Sequence, residues 1–181
     1  MIQYILLGML NYQSMTGYDL KQMIDQSISH FWHAYHSQIY TTLRQMEQDA
    51  LVSSVFIREE GQPDRRVYTI TDAGKAALSA WLDQSMTEMT PIKEELLVRL
   101  FFSARREPEK VLAELILQRS LHQEKLADYH RIADEFHRPE HSLPGLERDA
   151  HFWRATLELG IHYEETYLEW LQQTIHLIEG L

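Results

Sequence analysis

Gln38, Thr41 and Arg44 recur at every third position on the polar side of a helical pattern whose other side is Ile39, Leu43, Met46 and Ala50. An amide, a hydroxyl and a guanidinium at that spacing, with little net charge around them, suit hydrogen bonding to the edges of nucleic-acid bases. Arg44 is the strongest reader of the three, because a guanidinium can grip guanine O6 and N7 together; the competing reading is an ion pair with Glu47, three residues on. Tyr40, on the same stretch, could donate to a phosphate while its ring sits at a groove edge, or could pack in a core beside Ile39 and Leu43. Ser37 stands where a helix cap belongs. Two more groups suit phosphate. Gly17-Tyr18 opens another helical stretch whose first amides and tyrosine hydroxyl can hold an anion. Arg65 and Arg66 follow a turn and, as neighbours in a strand, point to opposite faces; one can aim outward while the other pairs with a carboxylate.

Other constellations carry less. His30, His33 and His36 repeat every third residue around Trp32, and Glu147/His151 and Glu158/His162 form i,i+4 pairs. Imidazole suits zinc, copper or nickel, but the histidines lie in a connection and the pairs read as solvated helix faces, so no metal is expected. Trp153, Tyr163 and Tyr167, joined by Trp81 and Phe101, could line a cavity for a flat aromatic molecule; dense packing of a core or interface is the favoured explanation. There is no nucleophile elbow, Walker loop, HExxH or dinucleotide fingerprint. With seven glycines in the chain, a phosphate-cradling loop is not expected, so the sequence predicts no enzyme and no cofactor.

The elements that would position these groups can be read in order. Ile2–Tyr12 reads as a buried helix carrying Ile5, Leu6, Met9 and Leu10. Thr16, with Asp19 three residues on, approaches a capping box and starts a helix through Ser27. A second helix spans Ser37–Asp49. Leu51–Ile57 and Arg66–Ile70 read as strands around the turn Glu60-Gly61-Gln62-Pro63-Asp64. Thr71-Asp72 opens a further helix, and Thr90-Pro91 another, with Thr90 as cap and Pro91 at the first helical position. From there the pattern is helical: Ile92–Ala104, a long helix from Glu107-Pro108 to about His137, a loop from Pro139 to Pro144, and a last helix over Leu146–Ile178. Leu168, Leu171, Ile175 and Ile178 follow the 3-4-3 spacing of a coiled-coil seam and are the expected dimerisation residues.

The totals fit. The chain has 181 residues, 44% of them hydrophobic, no cysteine and a formal charge of −10. The absence of cysteine excludes disulfides and thiolate chemistry and accords with a reducing cytoplasm. Met1-Ile2-Gln3-Tyr4 lacks a positive leader, and no apolar run approaches the ~20 residues that cross a bilayer. In residues 1–75 six cations face eight anions, so the acidic excess lies mostly in the second half. Contact with phosphate would have to come from local clustering of cations in the first half.

The first part resembles the PadR family of bacterial transcriptional regulators. The matching segments are Leu6-Leu7-Gly8-Met9-Leu10, Gly17-Tyr18-Asp19-Leu20, Phe31-Trp32, Ser37-Gln38-Ile39-Tyr40-Thr41-Thr42-Leu43, Leu51-Val52, and Arg65-Arg66-Val67-Tyr68-Thr69-Ile70-Thr71-Asp72-Ala73-Gly74. The second part, through Lys93-Glu94-Glu95-Leu96-Leu97-Val98-Arg99-Leu100-Phe101-Phe102, Gly160-Ile161 and Trp170-Leu171, resembles the α-helical C-terminal domain of virulence-activator-like members. The chain departs from the family pattern in a more acidic wing, where Glu59, Glu60 and Asp64 flank Arg65 and Arg66. The resemblance implies a homodimer held by the C-terminal helices, with one winged helix on each half of an inverted repeat in double-stranded DNA. It implies a repressor released by a small ligand, or an activator.

The expectation is therefore a mainly α protein with a small β-hairpin: a winged helix-turn-helix over residues 1–88 and a helical dimerisation and effector domain over 89–181. DNA contact falls to Tyr18, Ser37, Gln38, Tyr40, Thr41, Arg44, Arg65 and Arg66. A small aromatic effector would use Trp81, Phe101, Trp153, Tyr163 and Tyr167. The alternative is a module that senses small aromatic molecules and acts through protein contacts; a steep fall of DNA affinity with salt separates the two.

Overall fold

In the computed structural model, which describes residues 1–29, 31–58, 65–89, 91–136 and 145–180, the chain forms two compact units, Met1–Thr90 and Pro91–Leu181. The first begins with α1 (Ile2–Tyr12), whose Leu6, Leu7 and Leu10 turn inward. Thr16 then caps α2 (Gly17–Ser27) with a full capping box. The Thr16 hydroxyl accepts the Asp19 amide at 3.1 Å, and the Asp19 carboxylate accepts the Thr16 amide at 3.0 Å. Two orphan amides of the helix start are thereby satisfied locally.

Helix α3 spans His36–Gln48. Its cap position is Tyr35, with no side-chain cap bond, so Ser37 is a helical residue rather than the cap that its type suggests. The Tyr35 carbonyl instead accepts the amides of Gln38 and Ile39 at 3.0 and 3.1 Å. Ala50 does not belong to the apolar side of this helix either. It lies beyond the helix at φ 56° and is exposed. There it closes α3 in a Schellman arrangement, in which Leu51 donates to the Met46 carbonyl at 2.8 Å and Ala50 to that of Glu47 at 3.1 Å.

Strands β2 (Val52–Ile57) and β3 (Arg65–Ile70) pair antiparallel from Val52↔Ile70 to Ile57↔Arg65. The turn expected at Glu60–Asp64 lies outside the described residues. A two-residue strand, β1 (Met15–Thr16), adds to the other edge of β3, giving the order β1-β3-β2. Thr71 caps α4 (Asp72–Leu82), accepting the Gly74 amide at 3.1 Å while donating to the Ala50 carbonyl at 2.7 Å. Leu6, Leu7, Leu20, Ile24, Ile39, Leu43 and Met46 are fully enclosed in one core that α1, α2 and α3 share.

In the second unit α5 spans Glu95–Phe101, and a 3-10 turn follows at Ser103–Arg105. The helix starts at Glu95, not at Pro91, and the expected cap Thr90 lies outside the described residues. Glu94 supplies the cap, its carboxylate accepting the Leu96 amide at 3.4 Å. Ile92 stays exposed, so nothing rewards extending the helix back to it; packing, more than propensity, sets such limits. The two long helices are α6 (Pro108–Phe136) and α7 (Glu147–Glu179). They run in opposite directions side by side, with Arg119 donating to Gln172 at 2.8 Å and His122 meeting Glu164.

The seam expected to join two copies is partly sealed inside one. Leu171 and Ile175 are buried against Leu96, Val111 and Leu115 of the same chain. Leu168 is half-buried, and Ile178 is half-buried against that cluster. The spacing correctly marks an apolar face, but α5 and α6 of the same protomer cover Leu171 and Ile175. Leu171→Ala should therefore destabilise the C-terminal unit by about 2–5 kcal/mol, as large-to-small core changes do. Urea denaturation followed by circular dichroism measures this. An unchanged midpoint would place Leu171 outside the core.

Candidate nucleic-acid interface

A helix with 3.6 residues per turn cannot bury Ile39, Leu43 and Met46 without turning its other side out. Ser37, Gln38, Thr41 and Arg44 are exposed, and Tyr40 is 43% exposed at the edge of the buried stripe. The core packing of Tyr40 is thus partial. Helix α2 braces α3 from within through Leu20 and Ile24. On its outer side Tyr18 is 57% exposed, and its hydroxyl accepts a hydrogen bond from Gln22 Nε2 at 3.1 Å.

The ion pair between Arg44 and Glu47 does not form, because Glu47 is engaged elsewhere. Its carboxylate accepts the Ser54 hydroxyl at 2.5 Å and pairs with the Arg66 guanidinium. Arg66 also donates through Nε to Ser54 Oγ at 2.8 Å, and it lies 5.1 Å from the centroid of the Phe56 ring and 5.3 Å from that of Tyr68. Guanidinium over aromatic faces is an attractive contact in its own right. Arg66 is thus engaged with a carboxylate of α3. Arg65, its neighbour, is exposed. The Ser54 hydrogen bond holds the Glu47 carboxyl below its usual range, with desolvation opposing and Arg66 assisting. Glu47 and Ser54 had no sequence signal for this role. Their meeting depends on the hairpin register, which aligns Phe56 with Arg66 and Ser54 with Tyr68.

The remaining candidates fall as follows. His30 and the wing carboxylates Glu59, Glu60 and Asp64 lie outside the described residues. His33 meets the Tyr35 ring edge-on at 5.9 Å, and His162 pairs with Glu165 at 3.2 Å rather than with Glu158. Glu147 accepts the Gly145 amide at 3.0 Å. Among the described residues no three metal-ligating side chains lie together. In the first unit Trp81 stacks on Tyr4 at 4.5 Å. In the second, Tyr163, Tyr167 and Trp170 form a ladder along α7, with ring separations of 5.8 and 5.2 Å, and His122 stacks on Tyr167 at 4.1 Å. Burial, aided by Glu94, pushes the Tyr167 hydroxyl up to about 12. Trp153 is half-buried, and Phe101 is 81% exposed against Phe102. A group that the sequence did not single out is Glu164, 1% exposed, which meets His122 Nδ1 and lies 3.2 Å from Lys125 Nζ.

An outward polar helix, a bracing helix behind it and a two-stranded wing bolted to its end define a winged helix-turn-helix protein. Residues 6–80 match the sequence profile of the transcriptional regulator PadR-like family, and residues 92–179 match that of the virulence activator alpha C-terminal domain. The chain belongs to the PadR family of transcriptional regulators. It is 27% identical over 176 residues to "Probable transcriptional regulator Rv1176c" of Mycobacterium tuberculosis, covering 92% of each chain. It is 24% identical over 185 residues to the negative transcriptional regulator PadR of Bacillus subtilis, covering 98% of this chain and 97% of that one. The fold superposes on the crystal structure of Bacillus subtilis PadR in complex with operator DNA with a TM-score of 0.83, at 23% identity over 98% of both chains. It superposes on the Vibrio cholerae virulence activator AphA with a TM-score of 0.77, at 24% identity over 99% of both. Among the described residues no helix is long and apolar enough to cross a membrane.

The Glu47 bolt has a definite pH dependence. A carboxylate whose folded pKa is lowered contributes stability that is complete above its unfolded value and is lost as pH falls through the folded one. Glu47→Gln should cost roughly 0.5–1 kcal/mol at pH 7, the scale of a partly exposed ion pair. The difference from the parent should shrink as pH falls below the ordinary carboxylate range and vanish once the parent carboxyl is itself protonated. Denaturation at a series of pH values checks both; a difference that grows on acidification would contradict the assignment.

Proposed function

We propose that the protein is a dimeric, ligand-responsive repressor that binds an inverted-repeat operator in the cytoplasm. The observation that carries this reading is the exposed row of Gln38, Thr41 and Arg44 on a helix whose opposite side is fully enclosed. Gln38 and Thr41 offer neutral hydrogen bonds and Arg44 a bidentate grip on guanine. Tyr18, Ser37, Tyr40 and Arg65 serve as phosphate contacts, which position the helix without reading sequence. The names of the relatives support the sense of regulation: the Bacillus protein is a negative regulator and has been crystallised with operator DNA. It has also been crystallised with p-coumaric acid, and the aromatic ladder at Tyr163 and Tyr167 offers a small aromatic acid stacking surfaces.

Dimer geometry carries the switch. Two recognition helices match half-sites only near ~34–36 Å or its multiples, so an effector that alters the packing of the C-terminal helices releases the operator. With Leu171 and Ile175 enclosed, the face offered to a second copy is the apolar surface left open on α5 and α6: Leu97, Val98, Phe101 and Phe102, with Leu117 and Leu121. Large apolar side chains left in water in such number suit an interaction surface.

Selection of bound duplexes from a random pool, followed by titration at several salt concentrations, tests the central reading. Affinity should fall steeply with salt, and Arg44→Ala should cost about 1–3 kcal/mol while relaxing preference at one base position. Parent-like binding by Arg44→Ala would move the recognition face elsewhere. Phe101→Glu combined with Phe102→Glu should yield folded monomers in sedimentation, and a persistent dimer would place the interface on another surface.

A further inference from the structure

We infer that Gly17 is a positioning residue of the interface: lacking a side chain, it seats the Tyr40 ring against the first turn of α2 and so fixes where the Tyr40 hydroxyl meets a DNA phosphate. The inference rests on reading α3 as the recognition helix. An ideal Cβ built on Gly17 would stand 2.5 Å from Tyr40 Cε1, 2.9 Å from Cζ and 3.2 Å from Cδ1. All three are atoms of one ring. The contact joins the first residue of the bracing helix to the edge of the reading helix.

The other glycines show what is special here. A Cβ on Gly74 would meet the Leu51 carbonyl oxygen at 2.2 Å, a collision with backbone that no rotamer relieves, whereas one on Gly8 would meet nothing within 4 Å. Gly74 is required by the fold and Gly8 by nothing local. Gly17 has no left-handed backbone to excuse it, and alanine is tolerated at a first helical position. The three atoms that crowd a side chain at this position all belong to the ring. The ring has an escape, since Tyr40 is 43% exposed. A methyl group at position 17 therefore leaves the backbone in place and drives the ring outward.

Outward rotation matters because the ring is held at Gly17, the residue that precedes Tyr18, a second exposed tyrosine. The Tyr18 hydroxyl accepts from Gln22 and keeps its own proton to donate. With Tyr40 seated against Gly17, its hydroxyl is offered to a phosphate oxygen from a fixed place on the helix edge. Holding the ring before DNA arrives removes an ordering cost from binding. A phosphate contact carries no sequence information, so its loss lowers affinity for every duplex alike.

The test uses the full chain as Gly17→Ala, Tyr40→Ala and the double variant, with the duplex that the parent selects from a random pool as probe. Gly17→Ala should keep the parent's unfolding midpoint and its base preferences while losing about 5–10-fold in affinity. In the Tyr40→Ala background the same change should cost nothing further, because the ring it displaces is gone. Parent-like binding by Gly17→Ala, or an equal loss in both backgrounds, would overturn the inference. Proton NMR reads the contact without DNA: ring current should shift the Gly17 Cα protons upfield in the parent, and Tyr40→Ala should abolish the shift. An absent shift defeats the seating of the ring. A shift that is present in a chain that selects no duplex defeats the recognition reading, and with it the positioning role.

Discussion

Enclosure of one side of α3 is the constraint on which this molecule depends. Ile39, Leu43 and Met46 have no solvent contact, and their recurrence fixes the rotation of the helix about its axis. The polar row on the far side needs no further force to face outward; it follows from helical geometry once the apolar stripe is satisfied. Leu6 and Leu7 from α1 and Leu20 and Ile24 from α2 supply the partners. The bracing helix therefore works through packing density, which resists displacement more than a few surface bonds would.

Polar contacts refine what the core establishes. In the first unit the Glu47–Ser54–Arg66 cluster joins the last turn of α3 to both wing strands. It takes from the surface the carboxylate nearest the Arg44 side chain in the sequence, leaving a less acidic helix face than the sequence implies. In the second unit Glu164 lies buried between nitrogen partners on α6. Sliding α7 by one turn would strand that charge without them, a costly outcome in a low-dielectric interior. The ion cluster thus discriminates between registers that a purely apolar helix pair would tolerate more evenly.

Much of this architecture was legible in local signals. Thr16 and Asp19 sit at capping-box spacing, and α2 starts where they place it. The stripe of α3 was readable from period alone, and so was the exposure of Gln38, Thr41 and Arg44. Signals failed where a distant partner decides. Ser37 has the right composition for a cap, yet the Tyr35 carbonyl takes the first amides. The spacing of Leu168, Leu171, Ile175 and Ile178 identifies an apolar face but not whose surface covers it. Strand β1 is two residues long, too short for any alternation to show. His122 and Glu164 stand 42 positions apart, and only the relative register of two long helices brings them together.

The tight corner at Gly74 has a mechanical meaning. There the end of α3, the root of β3 and the start of α4 converge on a few atoms: Thr71 bridges Ala50 to Gly74, and no room remains for even a methyl group beside the Leu51 carbonyl. Joints that close cannot hinge. A turn of α4 would carry the end of α3 and the wing root with it, as the shank of a key carries its bit.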